Sequence, residues 1–362
     1  MLKFNGDGRF GMLLFGDLHE YKDYKTSPRF KDMQKLMTAS LDYYKPDLCV
    51  LLGDVYHSSI CKENPEEFKQ GVKDICAPAF KRNIPVAYIM GNHEHDAGCD
   101  EDIIRVCSEI EGLLMRPDGV DGKADFFEYV YDKDGKTPKA CLWFLDSNNL
   151  YEDKEKSYYD YVHTDQIEWF EKNNDKNLPA YIFQHIPVPE EYELLRKAKW
   201  YEMPFAVRGY GSHQNTWYVG KENTADYVGE GPCSPDINNG QFESWKKQGN
   251  VKAAFFGHDH LNDFSGYVDG IFMAQHKTAG FRCYTDGCRS CVRYVEIKEE
   301  SPDKFTQELK RFKEFGLKCE SLGPIMKRIS DRQSIGLHHI FRTLGIIAGI
   351  VIISLIIKIL LG

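Results

Sequence analysis

Five stretches of this chain share one pattern: a short apolar run followed by side chains that bind metals, with a glycine between them in four of the five. They read Leu13-Leu14-Phe15-Gly16-Asp17-Leu18-His19, Cys49-Val50-Leu51-Leu52-Gly53-Asp54 and Val86-Ala87-Tyr88-Ile89-Met90-Gly91-Asn92-His93-Glu94, then Ala180-Tyr181-Ile182-Phe183-Gln184-His185 and Val251-Lys252-Ala253-Ala254-Phe255-Phe256-Gly257-His258-Asp259-His260. Runs of this length read as strands buried on both faces. Glycine lets the backbone turn at the strand end, and the carboxyl tips of such strands are where open α/β sheets keep their ligands. Each tip alone is weak: Asp17-x-His19 could be a turn, and His258-x-His260 a surface pair. Together and in order they are hard to explain structurally, because buried Asp, Asn and His would repel or stay unpaired unless cations sat among them. Asp54 stands in the middle of the set.

Between the tips the pattern predicts a helix from about Arg29 to Tyr44 and another over Pro65–Lys81, the latter started by an Asn64 cap and a first-turn proline. This β-α-β-α-β alternation implies parallel strands with right-handed crossovers. Strands Phe126–Tyr131 and Lys139–Leu145 are expected as an antiparallel pair, followed by helices Thr164–Asn173 and Glu190–Lys197. Residues 198–238 carry Trp200, Tyr201, Phe205, Tyr210, Trp217 and Tyr218 and read either as a lid or as an Ω-loop packed by its own aromatics. Helix Phe242–Lys247 precedes strands Phe264–Tyr267, Ile271–Ala274 and Val292–Ile297. An amphipathic helix over Asp303–Phe315 and a basic, loosely ordered linker over Gly316–His339 are expected next.

The formal charge of −9 excludes a nonspecific nucleic-acid binder, which carries a basic stripe. The eleven cysteines are scattered, and no secretory signal is read ahead of the first metal-binding tip, so reduced thiols on a cytosol-facing domain are expected. Cys283, Cys288 and Cys291 lack a fourth ligand for a zinc knuckle and read as parts of a hairpin turning at Thr285-Asp286-Gly287. From Leu344 to Leu361 the chain is apolar except for one Ser and one Lys. At ~18 or more residues this is long enough to span a bilayer, and it lacks the polar face a buried core helix would show. Lys327, Arg328, Arg332 and Arg342 flank it upstream and predict a cytosolic catalytic side. The expected organisation is a catalytic domain over 1–300, a helix and basic linker over 301–340, and a single-pass C-terminal anchor over 341–362.

The ordered set Gly16-Asp17-Leu18-His19, Gly53-Asp54, Gly91-Asn92-His93-Glu94, His185 and Gly257-His258-Asp259-His260 resembles the five motifs of the calcineurin-like metallophosphoesterase superfamily. Gln184–Glu190 and Gly231–Gly240 resemble its purple-acid-phosphatase-related branch. The resemblance implies an α/β fold: a metallophosphoesterase β-sandwich of two mixed sheets flanked by helices, here with one C-terminal transmembrane helix added. It implies two metal ions, with Asp17, His19 and His260 on one, Asn92, His185 and His258 on the other, and Asp54 bridging both. Mixed His, Asp and Asn ligation suits Fe, Mn or Zn. Such a pair makes hydroxide available near neutral pH to attack phosphorus while neutralising phosphate oxygens. His93 follows a ligand without matching a ligand position and is read as the general acid or transition-state donor. Glu94 and His95 are read as outer-shell or pocket residues. Three residues after Asp54, relatives carry a Tyr ligand or an Asp that orients the catalytic His; here His57 stands there, either solvated or close to the metals.

These readings converge on a membrane-anchored, metal-dependent phosphatase of phosphate monoesters, of serine/threonine or acid phosphatase type. A phosphodiesterase acting on nucleotides or lipid head groups is the alternative enzyme. An inactive membrane-tethered scaffold is the alternative of another class. The partners expected are a phosphorylated protein or small molecule and the membrane, without nucleic acid.

Overall fold

The computed structural model describes residues 1–117, 120, 122–285, 287–324 and 331–361, with the backbone alone over 331–343 and 360–361. In chain order the strands are β1 (Leu2–Lys3), β2 (Arg9–Phe15), β3 (Leu48–Leu51), β4 (Val86–Tyr88), β5 (Leu113–Leu114), β6 (Phe126–Tyr131), β7 (Pro138–Leu145) and β8 (Ala180–Gln184). They continue as β9 (Leu195–Lys197), β10 (Val207–Arg208), β11 (Trp217–Gly220), β12 (Val251–Phe256), β13 (Ser265–Val268), β14 (Ile271–Gln275), β15 (Cys291–Lys298) and β16 (Ser301–Arg311). The helices are α1 (Pro28–Tyr44), α2 (Ser58–Glu63), α3 (Pro65–Phe80), α4 (Asn92–His95), α5 (Asp100–Ser108), α6 (Thr164–Asn173), α7 (Gln241–Gln248) and α8 (Asp331–Leu361).

Two mixed sheets carry the molecule. One runs β16-β15-β2-β3-β4-β5 and the other β1-β6-β7-β8-β12-β14-β13. Strands β2, β3 and β4 are parallel, as are β7, β8 and β12. Alternation along each strand explains the layering. Met12, Leu14, Val50 and Leu52 from the first sheet share one buried cluster with Leu142, Phe144, Phe183 and Phe255 from the second. The intervening Leu13, Phe15, Cys49 and Leu51 face α1, α3 and α5. On the other side Trp143, Ile182 and Phe256 meet Phe170 of α6 and Trp245 of α7. The result is helix, sheet, sheet, helix, the sandwich implied by the motifs.

Local chemistry starts the helices where the sequence suggests. Ser27 Oγ accepts from Arg29 N at 3.2 Å ahead of Pro28, and Asn64 Oδ1 accepts from Glu67 N at 3.3 Å ahead of Pro65. Such caps satisfy amides that have no partner within the helix.

Three expectations change. Residues 301–311 form β16, antiparallel to β15, where a helix was expected. Burial alternates with period two over Phe305, Thr306, Gln307, Glu308 and Leu309, and the lysines mark an exposed edge strand. The segment after Gly316 is not loose throughout: Asp32 of α1 accepts from Glu320 N and Ser321 N at 2.8 Å and from Ser321 Oγ at 2.7 Å. Glu190–Lys197 is a 3-10 turn over Pro189–Leu194 leading into β9, which joins β10 and β11 in a small antiparallel sheet.

Among the described residues no helix is long and apolar enough to cross a membrane. Helix α8 runs for 31 residues. Within it Leu344, Ile346, Ile350, Ile353 and Ile359 are exposed. Lys327 and Arg328, and the side chains of Arg332 and Arg342, lie outside the described residues.

Candidate metal centre

Parallel strand directions bring five tips to one rim, where the two sheets meet. Backbone bonds knit the tips together: Asp17 N donates to Gly53 O at 3.2 Å, His19 N to Asp54 O at 2.8 Å and Gly257 N to His185 O at 3.0 Å. Gly53, at φ +87°, shows how close the approach is. A Cβ there would come 2.5 Å from His185 Nδ1 and 2.7 Å from Gly91 Cα. Asp17, His19, Asp54 and His258 hold φ values of 54°, 48°, 51° and 75°. Left-handed backbone is unfavourable for side chains other than glycine, and such strain gathers at functional sites.

The side chains form two groups that share one atom. On one side His19 Nε2 lies 2.9 Å from His260 Nε2, and Asp17 Oδ1 is 3.6 Å from His260 Nε2. On the other, His185 Nε2 is 3.1 Å from Asn92 Oδ1 and 3.3 Å from His258 Nδ1. Asp54 Oδ2 reaches both groups, 3.6 Å from His19 Nε2 and 3.2 Å from His185 Nε2. Six of the seven expected ligands are buried, and His19 is half-buried.

The donor chemistry fits cations. His185 Nδ1 donates to Leu52 O at 2.6 Å and His260 Nδ1 to Tyr284 O at 2.7 Å. Each bond fixes the tautomer and leaves the Nε2 lone pair directed inward, the usual outer-shell support of a metal-bound imidazole. Burial pushes His19 down to about 3 and His260 to about 4, keeping both rings neutral. Burial also lowers His258. Asp17 is raised by burial and by the Asp54 charge. Asp54 is held low by His185 and His19 in spite of its burial. His185 is the exception among the rings: burial lowers it, but Asp54 and Asp17 raise it to about 10, so a proton on this ring offsets the Asp54 charge where a bound cation would otherwise do so.

His93 stands at the mouth, half-exposed, with Nε2 4.0 Å from Asp54 Oδ2 and its ring centroid 5.2 Å from that of His19. Its Nδ1 is 2.5 Å from Asp96 Oδ2. Burial lowers its pKa, but Asp54 and Asp96 outweigh burial and raise it. The carboxylate that orients this histidine therefore comes from three residues further along, a partner that the sequence reading missed.

The other named residues separate. Glu94 is fully buried and accepts from Asp54 N at 2.9 Å, Val55 N at 2.7 Å, Gly91 N at 2.8 Å and Tyr88 Oη at 2.8 Å. It clamps the Asp54 turn and does not face the pocket. His95 lies between Asp146 at 2.9 Å and Asp100 at 3.2 Å. Asp146 follows the apolar end of β7 as a sixth strand tip; with neither a glycine before it nor a histidine beside it, it reads as an ordinary strand end. His57 is exposed and caps α2, its Nδ1 accepting from Ser59 N at 3.3 Å. Among the described residues it joins no metal-ligating group. Tyr56 is buried against Phe68 and Tyr24, so neither residue supplies a tyrosinate ligand. In residues 198–238, Tyr210 packs on Tyr159 outside the segment, whose ring lies 4.3 Å from that of His258, while Trp200, Tyr201 and Phe205 are exposed. Cys288 and Cys291 are buried, and Cys283 turns toward His19 and His260 in place of a knuckle. The expected hairpin is a 3-10 turn over Gly287–Arg289, and Asp286 lies outside the described residues.

The chain is similar to several known proteins. The chain is 28% identical over 342 residues to "Probable inactive purple acid phosphatase 14" of Arabidopsis thaliana, covering 83% of this chain and 78% of that protein. It is 24% identical to "Phosphatase DCR2" of Saccharomyces cerevisiae, covering 71% of this chain and 45% of that protein. A solved dimetal phosphatase from Danio rerio aligns over 80% of this chain and 95% of its own, at 12% identity and a TM-score of 0.48. The profile described as calcineurin-like phosphoesterase matches residues 12–262, a span that holds all five strand tips, and the chain belongs to that family.

Proposed function

We propose that this chain is a metal-dependent phosphatase that hydrolyses phosphate monoesters and is held at a membrane by its C-terminal apolar run. The observation that carries the activity is that Asp54 Oδ2 lies within 3.6 Å of His19 and 3.2 Å of His185, so one carboxylate serves two donor groups. Asp17, His19, Asp54 and His260 would hold one cation and Asp54, Asn92, His185 and His258 the other. When bound, such a pair activates water and neutralises the phosphate oxygens. The chain's own residues do the rest. Glu94 fixes the backbone of the Asp54 turn, so the shared carboxylate keeps its direction. His93 presents Nε2 at the mouth and delivers its proton to the leaving oxygen. Asp96 holds the opposite ring nitrogen and favours the protonated form.

The anchor reading rests on the Leu344–Leu361 run and on the exposure of its described side chains. Exposed Phe205 and Met203 lie in the turn beside α8, with exposed Trp200 and Tyr201 just before them. Aromatic rings of this kind suit the membrane interface. The upstream Lys327, Arg328, Arg332 and Arg342 of the sequence support a cytosol-facing catalytic domain.

Relatives whose names include "probable inactive" make an inactive scaffold the second reading. The retained donor set and His93 favour activity, since a scaffold needs neither. The test is a panel of phosphoprotein, sugar phosphate, nucleotide monoester and nucleotide diester, given to the detergent-solubilised chain with Fe, Mn or Zn in turn. Turnover of monoesters ahead of diesters is expected. Turnover of diesters alone would assign a phosphodiesterase, and bound metal without any turnover would assign the scaffold.

A further inference from the structure

Cys283 is the exposed cysteine among eleven, and it does not face open solvent alone. Its sulfur, a His19 ring nitrogen and a His260 ring nitrogen all lie within 4.8 Å of one another. The loop that carries it is laid directly on the first metal-binding tip. Thr278 Oγ1 donates to Asp17 O at 2.6 Å. Gly280 passes so close that a Cβ would come 2.7 Å from both the Asp17 and Leu18 carbonyl oxygens. On the residues either side of the cysteine, Arg282 Nε donates to buried Glu20 at 2.7 Å, and Tyr284 O accepts from His260 Nδ1 at 2.7 Å. The Tyr284 ring stacks on His260 with centroids 4.1 Å apart and planes 8° apart. Residues 282 and 284 are thus each fixed to the centre, and the sulfur between them is held in register with two imidazole donors.

We propose that Cys283 is a thiolate ligand of the cation held by Asp17, His19, Asp54 and His260. The proposal rests on the reading that these residues bind metal. On binding, the thiol proton leaves to solvent as the metal–sulfur bond forms. Sulfur is a soft donor, so this half of the centre would prefer Zn²⁺, Co²⁺ or Fe²⁺ to Mn²⁺ or Mg²⁺, while the His185 half, with its harder donors, would not share that bias.

Titration of the full chain with Co²⁺ separates the two layers of the claim. Visible ligand-field bands report cobalt in either half and test metal binding itself. A near-ultraviolet sulfur-to-cobalt charge-transfer band reports the thiolate. Both are expected in the wild-type chain, with the charge-transfer band lost and the visible bands kept in Cys283→Ser. Visible bands without charge transfer, or charge transfer that survives Cys283→Ser, would overturn the proposal. No visible bands at all would overturn the metal-binding reading beneath it. A second measurement needs no variant: Zn²⁺ should protect Cys283 from iodoacetamide, read by peptide mass spectrometry, and equal alkylation with and without Zn²⁺ would contradict the assignment.

Discussion

Asp54 and His93 sit side by side at the rim, and the proposed chemistry divides between them. Asp54 lies within reach of both donor groups, so Asp54→Asn should weaken metal binding and lower kcat by several orders of magnitude. His93→Ala removes a proton donor, a loss of roughly 10²- to 10⁴-fold in kcat, yet should leave two metals per chain. Metal analysis beside kinetics checks the pair; an empty His93→Ala protein would show that His93 is a ligand. His95 acts differently, as a buried cation between two carboxylates. Burial lowers its pKa, but Asp146 and Asp100 raise it well above the ordinary value of 6.5. A raised imidazole contributes stability fully below its unfolded value and loses it as pH climbs through the folded one. His95→Gln should therefore cost about 3 kcal/mol near pH 6 and less near pH 9. Urea unfolding at both values measures this, and an equal cost at both would argue that His95 is not charged.

At the scale of elements, the strand tips were legible because each joins an apolar run to polar residues of unusual kind. Helix α1 was legible from its apolar residues at helical spacing, and α3 from Asn64-Pro65. Asp146 was hidden because a lone Asp with neither a glycine before it nor a histidine beside it reads as an ordinary strand end, and Asp96 because its contact with His93 depends on the turn of α4. Strand β16 was misread because Phe305, Leu309 and Phe312 also fall at near-helical spacing; only pairing with β15 decides between the two. The Cys283 contact joins residues more than 250 positions from His19, beyond any local signal. Pairing of β16 also has a consequence for truncation. Ending the chain after residue 324 keeps β16 and the segment held by Asp32 and should leave a soluble, cooperatively unfolding domain. Ending it after residue 300 strips the edge from β15 and should give an aggregating product. Size-exclusion chromatography and thermal melts compare the two, and equal behaviour would mean that β16 is dispensable.

The whole molecule joins a sandwich whose rim carries the candidate metal centre to a helix that is apolar over 344–357 but for one Ser. If that helix anchors the chain with its basic flank in the cytosol, protease added to sealed vesicles should digest the catalytic domain. Protection until detergent is added would place the domain on the other side and would undo the expectation of reduced cysteines. The central claim is narrower: one rim holds two cations with Asp54 between them. Anomalous diffraction from crystals of the 1–324 chain grown with Zn²⁺ tests it most directly. Two peaks are expected, one among Asp17, His19 and His260 and one among Asn92, His185 and His258, both within bonding distance of Asp54. A single peak, or two peaks that do not share Asp54, would contradict the account.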